Sequence, residues 1–531
     1  MIRIKLIYTR RVDSPTMLER STSSKIFRVH FRCTRCASGA GISRRLLAFS
    51  SLLGNGENRV KIMVALTRKP STAKSSDTDV GMLPELRSRA ERVAEGQSLR
   101  ERVPRSSHAS WLQPAKRRDP IAIIEQSSKG RLPELLPIRY GRMLHSPFTF
   151  MRGSAALMAH DLASTPSTGI RVQACGDCHL LNFGLFATPE RNLVFDINDF
   201  DETLPGPWEW DCKRLAVSVV LAARDIHLSA AEARHCVLEC VCAYRQRLRE
   251  YSRMSPMEVW YARQDVETIT AMAPKGQTRK NREEIAEKAH AHVAEHLFPK
   301  IVCEESGHYR FIEHRPTLFH VAEAQFEAHV HDRLADYRQS LPDERRVLLD
   351  RYRLEDFAMK VVGIGSVGTR CYIVLLVDKD GHPLLLQFKE ACRSVLEPYC
   401  GKSQYQLQGQ RIVVGQRLMQ SASDIFLGWV RGRHQHDFFV RQLRDMKYTA
   451  PVEKFSAVQL KQYAQVCGWT LARAHAKSGD AASISGYLGG GDAFDLALAA
   501  FAQSYADQTE RDHAALVEAV RAGRIQAQIN E

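Results

Sequence analysis

The chain has 531 residues, of which 44% are hydrophobic, and this is ample material for a large globular core. Its formal net charge is +15, but residues 1–62 alone hold thirteen Lys or Arg against three acids. The rest of the chain therefore carries a surplus of only about five positive charges, which argues against a nucleic-acid-binding face.

The N-terminal residues 1–119 are polar and rich in Arg and Ser, so we expect a largely disordered basic tail. Residues 1–62 contain no apolar run long enough to cross a bilayer and no secretory signal, so no membrane partner is expected. They superficially match an organellar transit peptide. Alternatively they are not natively translated and Met63 is the start, which is the interpretation that we favour.

Thirteen cysteines are scattered along the chain without the spacing of a disulfide scaffold, which indicates a reduced, cytoplasmic protein. Two C-x-x-C pairs, Cys33/Cys36 and Cys175/Cys178, could in principle form a zinc or redox site. The first pair lies in the basic tail and the second lies in a loop with a better explanation. We therefore do not favour a site of this kind.

A helix is predicted over residues 147–162, and it carries Arg152. The guanidinium of Arg152 could contact a phosphate or pair with an aspartate, and the pairing is favoured. The next segment, residues 175–202, is the most informative of the chain. Asp177 and Asn182 stand five residues apart in a G-D-x-x-x-x-N loop, followed by two apolar runs that predict a β-hairpin.

The hairpin ends in a cluster of three acids, Asp196, Asp199 and Asp201. Phosphoryl transfer needs such a set, because one carboxylate orients or deprotonates the acceptor hydroxyl while an amide oxygen and further carboxylates hold magnesium. Taken singly, each residue is explained as well by a tight turn or a solvated strand end. The ordered set favours the phosphotransfer interpretation over those structural roles.

This segment resembles the catalytic segment of the aminoglycoside and choline kinase group, which reads H-G-D-x-x-x-x-N, then a hairpin, then I-D-F-G. Residues 198–201 take the place of I-D-F-G, and Asp211 stands where that group has an aspartate that braces the loop from a helix. In this chain Cys175 replaces the usual His, and the hairpin is slightly longer. Asp196 therefore competes with Asp199 for the metal role, and Asp199 is ranked first.

Residues 209–250 and residues 275–300 are predicted to be helical. The charged face of the second segment is either exposed to solvent or a basic rim that attracts an anionic substrate. Residues 357–391 then read as strand, glycine-rich loop, strand, turn and strand, ending near Lys389. A dinucleotide fold would need a helix after the glycines. A strand follows them here, which is the order of the nucleotide-covering sheet of kinases. Candidate phosphate-binding residues are Gly363, Gly365, Ser366, Gly368 and Lys389.

Kinase-like enzymes place the glycine loop before the catalytic loop, whereas here it follows about 180 residues later. The chain would have to be a circular permutation of that fold, which is permitted when the original ends lie close together. The partner of Lys389 is a second difficulty, because the helix predicted at 405–419 contains no acid. Either Glu397 supplies the partner, or the ion pair is absent.

The remaining segments agree with a permuted order. Residues 425–429 and 438–443 are predicted as the last strands of the sheet. Residues 461–477 are predicted as a helix that resembles the L-A-x-x-H helix of antibiotic kinases, and His475 on it is expected to be a buried structural residue. Residues 492–520 are predicted to be mostly helical.

Residues 131–515 also resemble the bacterial domain-of-unknown-function family DUF2252, in strings such as CGDCHLLNFG and GWTLARAHAKSGD. The expected fold is α+β and protein-kinase-like, with two lobes in circularly permuted order behind the basic tail. We divide the chain into the tail (1–119), a helical lobe with the metal-binding loop (120–350), a sheet lobe (351–450) and a helical segment that completes the first lobe (451–531).

The functional hypothesis is an ATP- and magnesium-dependent phosphotransferase that acts on an unidentified small molecule bearing a hydroxyl. Asp177 would orient the hydroxyl, Asn182 with Asp199 or Asp196 would hold magnesium, and the glycine loop with Lys389 would hold the phosphates. Nucleotidyl transfer with the nucleotide reversed is one alternative, and a nucleotide-binding pseudokinase or scaffold without turnover is another. Neither the acceptor nor the oligomeric state has a sequence signature.

Overall fold

The structure is a computed structural model, and it describes residues 87–270, 287, 294–320, 326–361, 363–432, 435–443 and 446–528. The chain divides into two units, Met1–Glu85 and Leu86–Glu531, and every described residue lies in the second. The predictions for residues 1–86, and most of the helix expected at 275–300, lie outside the described residues. What is described is a mixed α+β structure.

The helices of the described residues are numbered here in chain order. They are α1 (Arg89–Arg102), α2 (Pro120–Ser127), α3 (Leu136–Leu144), α4 (Pro147–Gly153), α5 (Ala155–Leu162), α6 (Trp208–Asp225), α7 (Ala230–Tyr251), α8 (Pro256–Tyr261), α9 (Val266–Thr270), α10 (Ala294–Ile301), α11 (Phe326–Gln339), α12 (Asp343–Leu349), α13 (Glu397–Cys400), α14 (Gln408–Met419), α15 (Ala457–Ser478), α16 (Ala481–Leu488) and α17 (Ala493–Arg521). Among them, none combines the length and the apolar character that a membrane crossing requires.

The strands of the described residues are numbered in the same way. They are β1 (Arg171–Ala174), β2 (Phe183–Ala187), β3 (Leu193–Ile197), β4 (Leu204–Pro207), β5 (Val302–Glu305), β6 (His308–Phe311), β7 (Leu318–Phe319), β8 (Arg353–Lys360), β9 (Cys371–Val377), β10 (Pro383–Ala391), β11 (Gly428–Arg431) and β12 (Asp437–Gln442). Six of these form an antiparallel sheet in the order β11-β12-β10-β9-β8-β7.

The six-stranded sheet confirms the predicted order of strand, glycine loop, strand, turn and strand. β8 pairs with β9, and β9 pairs with β10, both antiparallel. The β-branched and leucine-rich strands are buried on both faces. On one face Val374 and Leu376 join a cluster with Tyr337 of α11, and on the other Ile373 joins a cluster with Leu297 of α10. The sheet is therefore held between two apolar layers, which fixes its register.

The helical part of the unit forms the larger core. α6 follows directly on β4 and is buried along nearly its whole length, with Ala216, Val217 and Val219 fully excluded from solvent. α15 packs along α7, and α17 packs against α6 and α7. The short strand pairs β1–β4 and β2–β3 lie at the edge of this core and carry the loop that precedes Asn182. The predicted helices at 209–250, 461–477 and 492–520 are confirmed.

The expectation that disorder extends to residue 119 is wrong for its described part, residues 87–119. α1 begins at a capping box in which Ser88 and Glu91 bond reciprocally to each other's backbone. A Cβ on Gly96 would lie 1.9 Å from the carbonyl oxygen of Ser483, so α1 and α16 cross with their backbones almost in contact. The sequence signal was weak because small residues and polar caps, not an apolar stripe, hold this helix.

The single helix predicted over residues 147–162 is interrupted. Ser154 has φ −118° and ψ 34°, outside the helical region, and it divides the segment into α4 and α5. Apolar periodicity continues across the break, which explains why the sequence does not reveal it. The break allows α4 to turn its C-terminal residue Gly153 toward α3, where Arg139 donates a hydrogen bond to the Gly153 carbonyl.

A buried histidine gives the fold a defined acid sensitivity. His108 is fully buried, and its Nε2 lies 2.9 Å from the hydroxyl of Tyr487, which itself donates to the carbonyl of Val103. The imidazole must therefore donate through Nε2, while no described residue forms a hydrogen bond with its Nδ1. Burial, assisted by the charge of Lys213, lowers the pKa of His108 to about 3. The folded state thus keeps this ring neutral.

Between pH 6.5 and pH 3 the unfolded chain binds a proton at His108 that the folded chain does not, so stability falls as the pH falls. We expect this group to remove about 2 kcal/mol from the free energy of unfolding between pH 6.5 and pH 5. Urea unfolding at the two pH values measures the loss. His108→Gln keeps an N–H donor and cannot titrate, so its loss should be smaller by that amount. An equal loss in both proteins would contradict the assignment.

Candidate functional site

The loop that begins at Cys175 is held from below by α6. Asp211 accepts hydrogen bonds from the backbone N–H of Cys175 at 2.6 Å and of Gly176 at 2.9 Å. His475 of α15 is fully buried, with its Nε2 3.2 Å from Asp211 and its Nδ1 2.8 Å from the hydroxyl of Tyr244. The bracing role expected for Asp211 and the structural role expected for His475 are both confirmed. The loop is thereby rigid before any ligand binds.

Asp177 and Asn182, the two loop residues singled out by the sequence, lie close together. Asn182 donates through Nδ2 to the carbonyl oxygens of Asp177 and Asp199, each at 3.0 Å. No described residue donates to its side-chain oxygen, so that oxygen remains open to a ligand. The carboxylate of Asp177 is paired with Arg214 of α6, whose Nε lies 2.7 Å from Oδ1. Arg214 is almost completely buried, so Asp177 is held in a fixed orientation.

Asp196 and Asp199 occupy opposite environments although they are three residues apart. Asp196 has no exposed surface, and it accepts hydrogen bonds from Arg473 at 2.6 Å and from the N–H and hydroxyl of Ser421 at 2.8 Å. Its lone pairs are taken by this buried network. Asp196 is therefore withdrawn as a candidate metal ligand, and the ranking of Asp199 above it agrees with the geometry. The side chain of Asp199 is 44% exposed.

The lysine of the sheet and the acids of the hairpin meet across one cleft. Lys389 Nζ lies 2.6 Å from Asp201 Oδ2 and 3.4 Å from Asp199 Oδ2, although 188 residues or more separate them in the sequence. Lys389 is only 3% exposed. The expectation that Glu397 supplies its partner, or that no partner exists, is corrected: the partners are Asp199 and Asp201. Glu397 begins the short helix α13 instead.

The glycine loop lies over the same cleft. Ser366 donates through its hydroxyl to Asp201 Oδ2 at 3.1 Å. Gly368 has φ +86°, a conformation that a residue with a Cβ adopts only with strain. Arg131 and Arg139 pin the loop by donating to its carbonyl oxygens at residues 364, 365 and 367. A Cβ on Gly363 would meet no atom within 4 Å, so space is open beside that residue.

Comparison with known proteins gives one match. The family described as an uncharacterized protein conserved in bacteria, DUF2252, matches residues 131–519. The chain belongs to DUF2252. No curated protein and no solved structure matches it significantly.

The charges of the cleft in this DUF2252 chain favour an ionised Asp199. Desolvation alone would raise the pKa of Asp199, but Lys389, Arg441 and Lys447 outweigh it and hold that pKa well below its usual value. Burial and the neighbouring charge of Asp199 raise the pKa of Asp201. Burial and then Arg441 lower the pKa of Lys447 to about 7. The cleft thus pairs two carboxylates with three cations.

The pairing favoured for Arg152 is corrected. Arg214 has taken the carboxylate of Asp177, and Arg152 forms no hydrogen bond or ion pair with another described residue. Its Nε is buried without a partner. Cys175 and Cys178 are free and fully buried, and burial raises the pKa of Cys178 well above its usual value. Cys33 and Cys36 lie outside the described residues.

Sequence reasoning missed four functional neighbours of the DUF2252 site. Asp201 was noted only as part of an acidic cluster, although it stands where the I-D-F-G pattern has glycine and could have been suspected as a partner for Lys389. Arg139 belongs to the string PIRYGRM that carried the family resemblance. Arg214 and Arg131 had no signal at all, because nothing in their local sequence shows which distant group they contact.

Proposed function

We propose that this DUF2252 chain is an ATP- and magnesium-dependent phosphotransferase with a kinase-like, circularly permuted two-lobed fold. The observation that carries the proposal is the meeting of Lys389 with Asp199 and Asp201 beneath the glycine loop. A lysine on the middle of an antiparallel sheet, a glycine loop and a pair of acids behind a G-D-x-x-x-x-N loop are the parts that phosphoryl transfer requires.

The residues present suit a magnesium nucleotide. Asp199 is ionised and partly exposed, and the side-chain oxygen of Asn182 accepts no hydrogen bond from a described residue, so both could serve as oxygen ligands. Lys389 would then exchange its contact with Asp201 for the nucleotide phosphates. Magnesium would supply neutralisation of the phosphate charges, and residues 363–368 would cover them.

Asp177 is suited to orient the acceptor hydroxyl. It lies at the mouth of the rigid loop, with 21% of its side chain exposed, and Arg214 holds it from the buried side. An acceptor hydroxyl that donates to this carboxylate would be placed in line with the transferred phosphate, and the carboxylate would take up its proton. Arg214 holds the carboxylate of Asp177 in one orientation, so Arg214 acts as a positioning residue.

Support for the permuted fold comes from the order of elements around the cleft. After β10 and its lysine come α14, then β11 and β12, then the long helix α15 with the buried His475. In this order they match the glycine-loop lobe and the helix that precede the catalytic loop in the resembled kinases. The catalytic loop itself stands earlier in this chain, before β2. The contacts of Lys389 with Asp199 and Asp201, which join two segments in the reverse of the order that the resembled kinases have, support this proposal.

Nucleotidyl transfer is a second candidate, and one observation favours it. Arg441 and Lys447 act on Asp199 together with Lys389, and both also line a cavity of about 80 Å³ whose lining is part polar and part apolar, the latter from Phe186 and Leu443. The two cations of this lining would suit phosphate oxygens. A nucleotide bound with its phosphates innermost would present its α-phosphorus to the acceptor.

A magnesium-dependent ATP turnover assay tests the proposal, with product analysis to separate the two reactions. Wild type should convert ATP to ADP only when magnesium is present, and Asp177→Asn should be slower by about 100-fold or more. Asn keeps a hydrogen-bond acceptor for Arg214, and since it removes the counter-ion of that buried guanidinium, the variant is assayed well below its melting temperature. If the products are AMP and pyrophosphate, the reaction is nucleotidyl transfer and not phosphotransfer. ATP binding without any turnover would favour the scaffold, and failure to bind ATP with magnesium would reject the proposal.

A further inference from the structure

Arg152 stands beside the proposed active site without a protein partner. It is the penultimate residue of α4, and it is half-buried. Its Nε is buried and has no hydrogen-bond partner, and the rest of its guanidinium makes no hydrogen bond or ion pair with the described residues. A buried donor of this kind costs free energy unless something accepts from it. A planar guanidinium is also the group best shaped to hold a phosphate or carboxylate by two parallel hydrogen bonds.

A second unpartnered group lies next to it. His179 is 8% exposed, and its Nδ1 is buried with no hydrogen-bond partner. Its Nε2 lies 3.9 Å from Asp177 Oδ2, which is beyond hydrogen-bond distance. An imidazole ring carries an N–H in either tautomer, so His179 can donate a hydrogen bond to an acceptor atom.

The local charge balance leaves Arg152 as a surplus cation. Asp177 is the acid within electrostatic reach of Arg152, and Arg214 already neutralises it. Arg142 of α3 adds a further positive charge to the same neighbourhood. A cavity of about 520 Å³ lies between α3, α4, Ile364 of the glycine loop and Gln528; Thr149 and Arg142 line it, whereas Arg152 and His179 do not. Its volume is in the range of small-molecule binding sites.

We propose that Arg152 and His179 form an oxyanion subsite for the acceptor, so that the substrate is a hydroxyl compound that carries a phosphate or carboxylate group. The inference rests on the proposed function, since it assigns the acceptor of the same site. The anionic group of the acceptor would bind Arg152 and His179, and its hydroxyl would reach Asp177. An acceptor that is neutral or cationic would leave the guanidinium and the ring unsatisfied.

Titration of inorganic phosphate into the full-length protein, with the nucleotide site filled by magnesium and the non-hydrolysable analogue AMP-PNP, tests the subsite. Acetate in a parallel titration shows whether a carboxylate serves as well. Arg152→Met should lower the affinity for phosphate by about tenfold or more. Arg152→Lys should lower that affinity less, because the positive charge remains. Arg118→Met is the matched control, since Arg118 is exposed and pairs only with Gln126.

The melting temperature distinguishes a binding role of Arg152 from a structural one, because the two roles predict opposite changes on substitution. Because Arg152 has no partner to lose, Arg152→Met should melt at or above the temperature of wild type, whereas a structural arginine would melt lower. Equal phosphate affinity in wild type and Arg152→Met overturns the inference. Loss of AMP-PNP affinity in Arg152→Met also overturns it, since Arg152 would then hold the nucleotide. Failure of wild type to bind AMP-PNP rejects the proposed function instead, and phosphate binding alone still reports on Arg152.

Discussion

Asp199→Asn should abolish magnesium-dependent nucleotide binding while leaving the fold intact. The substitution removes one negative charge and keeps the volume of the side chain, and Asp199 is partly exposed, with Lys389 as its charged neighbour. The proposed magnesium ligands are Asn182 and Asp199, so loss of the one carboxylate should weaken MgATP binding at least 100-fold, which is about 3 kcal/mol. Calorimetric titration with Mg-AMP-PNP measures the affinity, and thermal unfolding checks that the melting temperature stays near that of wild type.

Two further titrations make this result specific to the metal. Wild type titrated with AMP-PNP in EDTA should bind as weakly as Asp199→Asn does with magnesium present, since both lack the metal contact. An Asp199→Asn protein that binds Mg-AMP-PNP as well as wild type would remove Asp199 from the metal site. If Asp199→Asn binds less nucleotide but also unfolds at a lower temperature, the acid is structural and the metal assignment is wrong.

Asp196→Asn should have the reverse phenotype, a large loss of stability. Asp196 and Arg473 form an ion pair in which both side chains are at most 1% exposed. Removal of one charge leaves the guanidinium of Arg473 buried without a counter-ion, which costs about 3–5 kcal/mol. Urea unfolding monitored by tryptophan fluorescence measures this free energy. The remaining folded protein, assayed well below its melting temperature, should still bind Mg-AMP-PNP.

The double variant Asp196→Leu/Arg473→Leu separates loss of the pair from loss of one charge. Replacement of both partners by apolar side chains should recover much of the stability, because no buried charge is left unpaired. A stable Asp196→Asn protein that has lost nucleotide binding would contradict the structural assignment of Asp196 and would restore it as the metal ligand.

Much of the sheet was predictable because its signals are local. β9 and β10 are runs of β-branched and leucine residues separated by a turn at residues 378–381, and such runs specify strands without help from distant residues. The glycine loop between β8 and β9 was predictable from the strand that follows it. The break of the predicted helix at Ser154 was not, because apolar residues continue on both sides of it.

Several residues of the candidate site could be picked out from the sequence, but the contacts between their side chains could not. The spacing of Asp177, Asn182 and Asp199 follows a recognisable order, and the structure brings them to the cleft that also holds Lys389. The partner of Lys389 was wrongly expected on a following helix, because Asp201 precedes the lysine by 188 residues and nothing in the local sequence shows their contact. Asp196 could not be distinguished from Asp199 by sequence, since its partner Arg473 lies 277 residues away.

Arginine contacts were the least predictable part of the structure. A long side chain with five donors can reach carbonyl groups or carboxylates in any direction, so its local sequence says little about what it binds. Arg139 holds the glycine loop, Arg214 holds Asp177, and Arg473 holds Asp196. Arg152, by contrast with these three, makes no hydrogen bond or ion pair with a described residue, and this difference became visible only in the folded chain.

Hydrogen–deuterium exchange of the full-length protein, with and without Mg-AMP-PNP, tests the central claim most directly. If one nucleotide contacts both the loop and hairpin (residues 175–202) and the glycine loop with its following strands (residues 363–391), it should slow amide exchange in both peptides at once, although they are far apart in sequence. Asp199→Asn should abolish both protections together. Protection of one peptide without the other, or of neither under conditions where the nucleotide binds, would contradict a shared cleft and leave two unrelated motifs.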